Sequence, residues 1–244
     1  MTLPVFFVPD VAAAVGAQFD LDGTEGRHAA VVRRIAAGEQ VQVTDGRGRT
    51  AVCDVVSASR SGLRLSVVGV EELSPPTPQI TVVQAIPKGE RAELTVEVLT
   101  EIGADRIVPW AASRSVGQWR GERAAKALAK WRTTAREAAK QSRRSWFPEV
   151  TDQVDLPGLV ALVEDADVAL VLHEEAVEPL DSVDLAGAGS ILFVVGPEGG
   201  LSDAEISALA DAGGRVTRLG TTVLRTSTAG VAAVAAVLAR TRWA

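Results

Sequence analysis

The chain has 244 residues, 47% hydrophobic and 23% charged, enough apolar material for one large domain or two modest ones. A single cysteine, Cys53, excludes an intramolecular disulfide, and one cysteine with two histidines gives no metal-ligand cluster, so no metal is expected and a reducing, cytoplasmic setting fits best. The N-terminus lacks the basic-then-apolar order of a secretory signal, and the longest apolar run, Gly230 to Ala239, is too short and alanine-rich to span a bilayer, so no membrane role is expected. The formal net charge of −6 would argue against a nucleic-acid partner if it were evenly spread. It is not: Arg120, Arg123, Lys126, Lys130, Arg132, Arg136, Lys140, Arg143 and Arg144 face only Glu122 and Glu137, and no lysine or arginine follows until Arg215. A polyanion feels that local field more than the total, although a solvated helix face beside an acidic surface accounts for the pattern equally well.

In chain order, the first periodic segment predicts a helix over 25–37, with His28, Val31, Val32 and Ile35 on one face and Arg27, Arg33 and Arg34 off it. Those arginines are either solvated or a phosphate-contacting edge. Val41, Val43, Val52, Val55, Leu63, Leu65 and Val67 then alternate in short segments broken by Asp45-Gly46 and Ser61-Gly62, which predicts a small β-barrel or sheet. Three prolines in Ser74-Pro75-Pro76-Thr77-Pro78 forbid regular structure and mark a linker, giving domains 1–73 and 79–244.

Beyond the linker, strands and helices alternate, which predicts an α/β domain with a mostly parallel sheet. Strands are expected at 80–86, 107–108, 168–172, 191–195 and 215–219. Leu94, Val98 and Ile102 mark a helix ending near Gly103, a residue type suited to a C-cap. The long basic helix has a core stripe of Ala124, Leu128, Trp131, Ala135 and Ala138. A second, basic stripe carries Arg132, Arg136, Lys140 and Arg143. Trp110, Trp119 and Trp146 beside it could stack on bases; Trp131 belongs to the core stripe. An alanine-rich helix over 228–240 closes the chain.

Two loops carry the chemistry. The buried strand at 191–195 runs into Gly196-Pro197-Glu198-Gly199-Gly200, after which Ser202 and Glu205 form a capping box that starts a helix. Such a turn lets backbone N–H groups approach a ligand, but its glycine spacing is neither the dinucleotide fingerprint nor a P-loop, and alone it also suits a structural role. The second loop runs from Leu219-Gly220 to Leu224-Arg225-Thr226. Arg225 lies at the start of the last helix, where a cation is electrostatically unfavourable. An anionic partner resolves that conflict; so does an ion pair with a nearby carboxylate.

Together these loops resemble the ribosomal RNA small-subunit methyltransferase E family. The resemblance covers the whole chain: Arg27-His28 with Arg33, Gly38-Glu39 and Asp45-Gly46; Lys88, Glu101-Ile102-Gly103-Ala104, Pro109 and Arg114-Ser115; and Glu137-Ala138-Ala139-Lys140-Gln141-Ser142 with Arg144 and Pro148. It implies a PUA-like N-terminal domain and a SPOUT domain ending in a trefoil knot, an exception to un-knotted chains. It also implies a homodimer with active sites near the subunit interface, S-adenosylmethionine as cofactor, and methylation of a uridine N3 in 16S rRNA, in free RNA or in the assembled small subunit. The cofactor would be enclosed by Gly196, Glu198, Gly199, Gly200, Leu219, Gly220, Leu224, Arg225 and Thr226, with Leu172 and His173 as a further wall. The family commonly has an acid where this chain has Ser227.

Methyl transfer to uridine N3 requires loss of an imide proton, so a base or anion stabilisation must be supplied. Arg225 is assigned the anion-stabilising role, and Glu198 that of base or positioning carboxylate. RNA phosphates would meet Arg27, His28, Arg33, Arg34, Lys88, Arg114, Arg132, Arg136 and Arg144, with Gln141 adding a directed hydrogen bond. Two other classes compete: another SPOUT enzyme acting on a ribose 2′-hydroxyl or a tRNA base, and a non-catalytic RNA-binding protein. Nucleoside analysis of the product separates the first, and cofactor binding the second.

Overall fold

The computed structural model describes residues 3–12, 14–89, 91–117, 119 and 121–244; Arg120 of the basic stretch lies outside them. These form two compact units, one comprising the chain to Pro75 with Ala139–Phe147, the other Pro76–Ala138 with Pro148–Ala244. Residues 139–147, which the linker alone assigns to the second domain, therefore count with the first.

In the first unit, β1 (Val5–Phe7), β2 (Gln18–Leu21), β3 (Gln40–Thr44), β4 (Arg49–Ser59) and β5 (Gly62–Glu72) form one sheet in the order β1-β3-β4-β5-β2. Only the β1–β3 pair is parallel. The alternation read from the sequence is the buried face: Val41, Val43, Val55, Leu63, Leu65 and Val67 all point into the core with Phe6 and Cys53. Val52 stays half-buried because alternation along β4 turns Ala51, Cys53 and Val55 to the core and Val52, paired with Gln42, to the other face.

The expected helix over 25–37 is shorter and differently wound. It is α1 (Gly23–Arg27), followed by a π-turn at His28–Val32. The wider turn moves the apolar stripe, so Ala29 and Ile35 are buried while Val31 and Val32 are 50% and 69% exposed. Phe6 meets the His28 ring edge-on at 6.2 Å.

The second unit is built on β6 (Gln79–Ala85), β7 (Arg106–Trp110), β8 (Glu149–Val150), β9 (Val168–Leu172), β10 (Glu178–Pro179), β11 (Ser190–Val195) and β12 (Arg215–Arg218). These make a sheet in which every pairing is parallel, in the order β10-β12-β9-β11-β6-β7-β8. Its helices are α2 (Arg91–Ile102), α3 (Glu122–Gln141), α4 (Leu156–Asp165), α5 (Asp203–Asp211) and α6 (Thr226–Leu238), α3 running on into the residues grouped with the first unit. Successive strand residues feed opposite faces. Ile80, Val82, Ile191, Phe193 and Val195 pack with α2, α3 and α6, whereas Val83, Ala85, Leu192 and Val194 pack with α4 and α5.

Several expectations change in detail. The buried stripe of α2 is Thr95, Val96, Leu99 and Thr100; Leu94 is exposed. Trp110 and Trp131 are fully buried and cannot stack on RNA bases, Trp119 packs edge-on against Trp131 at 4.9 Å, and the Trp146 indole donates to the Leu73 carbonyl (2.9 Å). Lys140 is not on a solvated basic stripe; it is buried against Glu25 at 2.6 Å. The last helix starts at Thr226 rather than Thr228, which makes Arg225 its N-cap. No helix among the described residues is long and apolar enough to cross a membrane.

Candidate functional site

The carboxyl ends of β9, β11 and β12 open into a cleft of about 310 Å³. In an open parallel sheet this is where strand ends and the loops leaving them converge on a ligand. β9 delivers Leu172 and His173, β11 delivers Val195 and Gly196, and β12 delivers Arg218 and Leu219. Of the residues assigned to the cofactor from sequence, all but Gly199 line this cleft, namely Leu172, His173, Gly196, Glu198, Gly200, Leu219, Gly220, Leu224, Arg225 and Thr226.

The glycine-rich turn is held from three sides. Gly200 has φ 71, the left-handed region, and its N–H donates to the Pro197 carbonyl (2.9 Å). A Cβ on Gly196 would press on the Leu201 side chain at 3.1 Å. Gly199 faces away, where a Cβ would meet Arg114 at 3.1 Å, and the Arg114 guanidinium donates to the Leu201 carbonyl (3.0 Å). Arg114 thus braces the turn. The Lys88 N–H donates to a Glu198 carboxylate oxygen (3.2 Å), which orients that exposed carboxylate at the rim.

The turn passes directly into α5, whose start is the expected capping box. The Ser202 hydroxyl accepts from the Glu205 N–H (3.3 Å) while Glu205 accepts from the Ser202 N–H (2.8 Å). Its other carboxylate oxygen accepts from the Ser113 N–H (2.8 Å). Burial works against the Glu205 charge, but the hydrogen bonds from Ser113 and Ser202 outweigh it and hold the carboxyl below its ordinary value.

Arg225 is the N-cap of α6 and lines the cleft; its carbonyl accepts from the N–H groups of Thr228 and Ala229, both at 2.9 Å. Its guanidinium is exposed, with no hydrogen-bond or ion-pair partner among the described residues. The intramolecular carboxylate pair that would explain it away is therefore absent among them. The N–H groups of Thr226 and Ser227 have no acceptor among these residues either. Cation and helix N-terminus together favour an anion. Behind them the buried Gln84 amide donates to the carbonyls of Ala85 (2.9 Å) and Thr226 (3.3 Å), tying the end of β6 to the start of α6 and leaving its own oxygen unpaired.

Sequence reasoning missed three charged lining residues, Arg91, Glu174 and Arg218. Glu174 and Arg218 adjoin the His173 and Leu219 positions that were assigned, so the loops themselves were the available signal. The proposed RNA contacts are divided between the two units. Arg27, His28, Arg33, Arg34, Gln141 and Arg144 fall in the first unit, and Lys88, Arg114, Arg132 and Arg136 in the second. Arg132 is engaged by the Val150 carbonyl and the Asp152 carboxylate, both at 3.0 Å, and the Arg144 guanidinium donates to the Trp146 carbonyl (2.8 Å).

The cleft fits a mixed ligand such as S-adenosylmethionine. Leu172, Leu219 and Leu224 offer apolar walls, the glycine and Leu219-Gly220 backbone offers close polar contacts, and a Cβ on Gly220 would meet open space.

Comparison with known proteins gives concordant results. Residues 74–238 match the model of an RNA methyltransferase domain and residues 21–68 that of an RNA methyltransferase PUA domain. The chain is similar to the ribosomal RNA small subunit methyltransferase E of Mycobacterium bovis, 48% identical over 100% of this chain and 94% of the relative. It is 31% identical to that of Bacillus subtilis over 90% of this chain and 89% of the relative. A Neisseria gonorrhoeae ribosomal RNA small subunit methyltransferase E solved with S-adenosyl methionine superposes with a TM-score of 0.87 at 26% identity, covering 98% of both chains. A Legionella pneumophila methyltransferase solved with the same cofactor superposes at 0.89, again 26% identical over 98% of each.

Proposed function

Because the chain belongs to the ribosomal RNA small subunit methyltransferase E family, we propose that it transfers the methyl group of S-adenosylmethionine to N3 of one uridine in 16S rRNA. The observation that carries the reading is the Arg225 guanidinium, held at the N-terminus of α6 in the cofactor-sized cleft and unpartnered among the described residues. When bound, the cofactor supplies an electrophilic methyl carbon on a sulfonium. Leu172, Gly196, Gly200, Leu219, Gly220, Leu224 and Thr226 hold and shape it; Arg225 stabilises the uracil anion left by loss of the N3 proton. Glu198, exposed at the rim and oriented by the Lys88 N–H, takes that proton or positions the reactants. The target uridine is swung out of any stack to reach the cleft.

The reading includes a trefoil knot in the last segments of 79–244, a homodimer, the assembled small subunit as substrate and a cytoplasmic location. The PUA-like domain over 1–73 and the basic residues of both units hold the RNA. The test is methyl transfer from labelled cofactor to small ribosomal subunits from cells lacking this protein, with nucleoside analysis of the product. Label in 3-methyluridine is expected. Label in a 2′-O-methylated nucleoside overturns the target, and cofactor binding without transfer to subunit or naked rRNA overturns the substrate.

A further inference from the structure

Among the described residues, only two besides glycine have a left-handed backbone, and both are arginines: Arg34 at φ 56 and Arg143 at φ 59. Each stands where a helix ends. After α3, the Arg143 N–H donates to the Lys140 carbonyl (3.2 Å) and the Arg144 N–H to the Ala139 carbonyl (2.9 Å), a closure whose left-handed position is ordinarily glycine. After the π-turn, the Arg33 N–H donates to the His28 carbonyl (2.9 Å) and the Ile35 N–H to the Ala29 carbonyl (3.1 Å), placing Arg34 in the same role. A Cβ is strained there, and glycine would remove the strain. Attraction of a cation to a helix C-terminus does not explain the choice, because it needs no left-handed backbone and α3 already carries Lys140 in its last turn.

The side chains are uncommitted. Arg34 and Arg143 are both exposed, and neither guanidinium has a partner among the described residues, whereas Arg64 is paired with Asp20 and Arg49 with Glu72. Both closures lie in the first unit, on elements clasped by the Lys140–Glu25 ion pair, whose side chains are 7% and 20% exposed. Backbone strain kept at two arginines with unused charge is the pattern of residues retained for a ligand. We propose that Arg34 and Arg143 form a paired clamp for the phosphate backbone of the RNA substrate, a proposal that rests on the RNA methyltransferase reading. The planar guanidinium fork suits phosphate oxygens, and such contacts set position without reading sequence.

The test uses the full chain with Arg34→Gly, Arg143→Gly, their double variant, the corresponding lysine variants, and Arg64→Gln as a charge-matched control. Binding to small ribosomal subunits is measured across a salt series, alongside cofactor binding and thermal melting. The glycine variants should melt no lower than the parent and bind cofactor equally. Each should reduce the slope of log affinity against log salt by about 0.7–0.9, and the double variant should weaken RNA binding by at least about five-fold. Lysine should restore most of the affinity, and Arg64→Gln should leave it unchanged. Glycine variants that hold the subunit as tightly as the parent sink the proposal alone, as does an equal loss in Arg64→Gln, which would indicate a diffuse field. A parent protein that binds cofactor but no RNA sinks it together with the reading beneath it.

Discussion

At the scale of single residues, Glu205 shows how a buried charge is made to serve the neighbouring turn. Its two oxygens have separate donors, Ser113 on one and Ser202 on the other, so a neutral amide cannot satisfy both. Its folded pKa is below the unfolded value; the carboxylate therefore stabilises the fold above the ordinary range, and that contribution disappears as pH falls through the lower folded value. Glu205→Gln should cost about 1–3 kcal/mol at pH 7 and flatten the loss of stability below about pH 4.3. Denaturant titration at both pH values checks this; a parent-like acid limb in the variant contradicts it. Cys53 is the opposite case. Burial first, and the Asp54 charge second, push its thiol up to about 11, so the native protein should resist thiol reagents at pH 8 and react once unfolded. Rapid stoichiometric labelling of the native chain would refute that. For Arg225, removal of an anion-stabilising group predicts that Arg225→Ala lowers kcat by about 10²–10³-fold with the fold intact. Near-normal turnover on ribosomal subunits would remove Arg225 from the mechanism.

At the scale of elements, the helix starts separate structural from functional capping. Asp155 caps α4 by accepting from the Gly158 N–H (3.1 Å), away from the cleft, while Ser202 caps α5 directly behind the glycine-rich turn. Asp155→Ala and Ser202→Ala should each cost about 1 kcal/mol, but only Ser202→Ala should also weaken cofactor binding, as calorimetry would measure. Equal cofactor affinity in both variants would mean that the turn holds its shape without the box. The same elements show what the sequence made legible. β9 was readable residue for residue, because its hydrophobic run is bounded by polar residues and buried on both faces. The capping box was readable because both of its partners are local. α4 carries an equally local signal in Asp155 and Pro157 and went unread among short apolar segments. The misplaced faces have non-local causes: a π-turn moved the stripe at Val31 and Val32, and Lys140 was drawn inward by Glu25, 115 residues away. The cleft was legible as two loops; that β9, β11 and β12 end side by side follows from strand order, which no local pattern encodes.

At the scale of the whole molecule, the exposed apolar side chains of the second unit bear on assembly. Leu94, Val116, Val177, Val223, Leu224 and Trp243 are all exposed there, and Val223 and Leu224 belong to the cleft loop itself. Scattered single residues need no explanation, but an apolar loop beside the proposed cofactor cleft exposes area that a second copy could cover. That agrees with the homodimer proposed above, in which the active site lies near the subunit interface. Sedimentation at micromolar concentration should therefore give one species of twice the chain mass. A charge on the exposed face of α2, as in Leu94→Arg, should shift it toward the chain mass if α2 lies in the interface. Activity then decides what the dimer is for. If the partner helps to enclose the cleft, methyl transfer and cofactor affinity fall together as the dimer dissociates on dilution. A chain that sediments at its own mass while methylating ribosomal subunits at full rate would show that the cleft is complete in one copy.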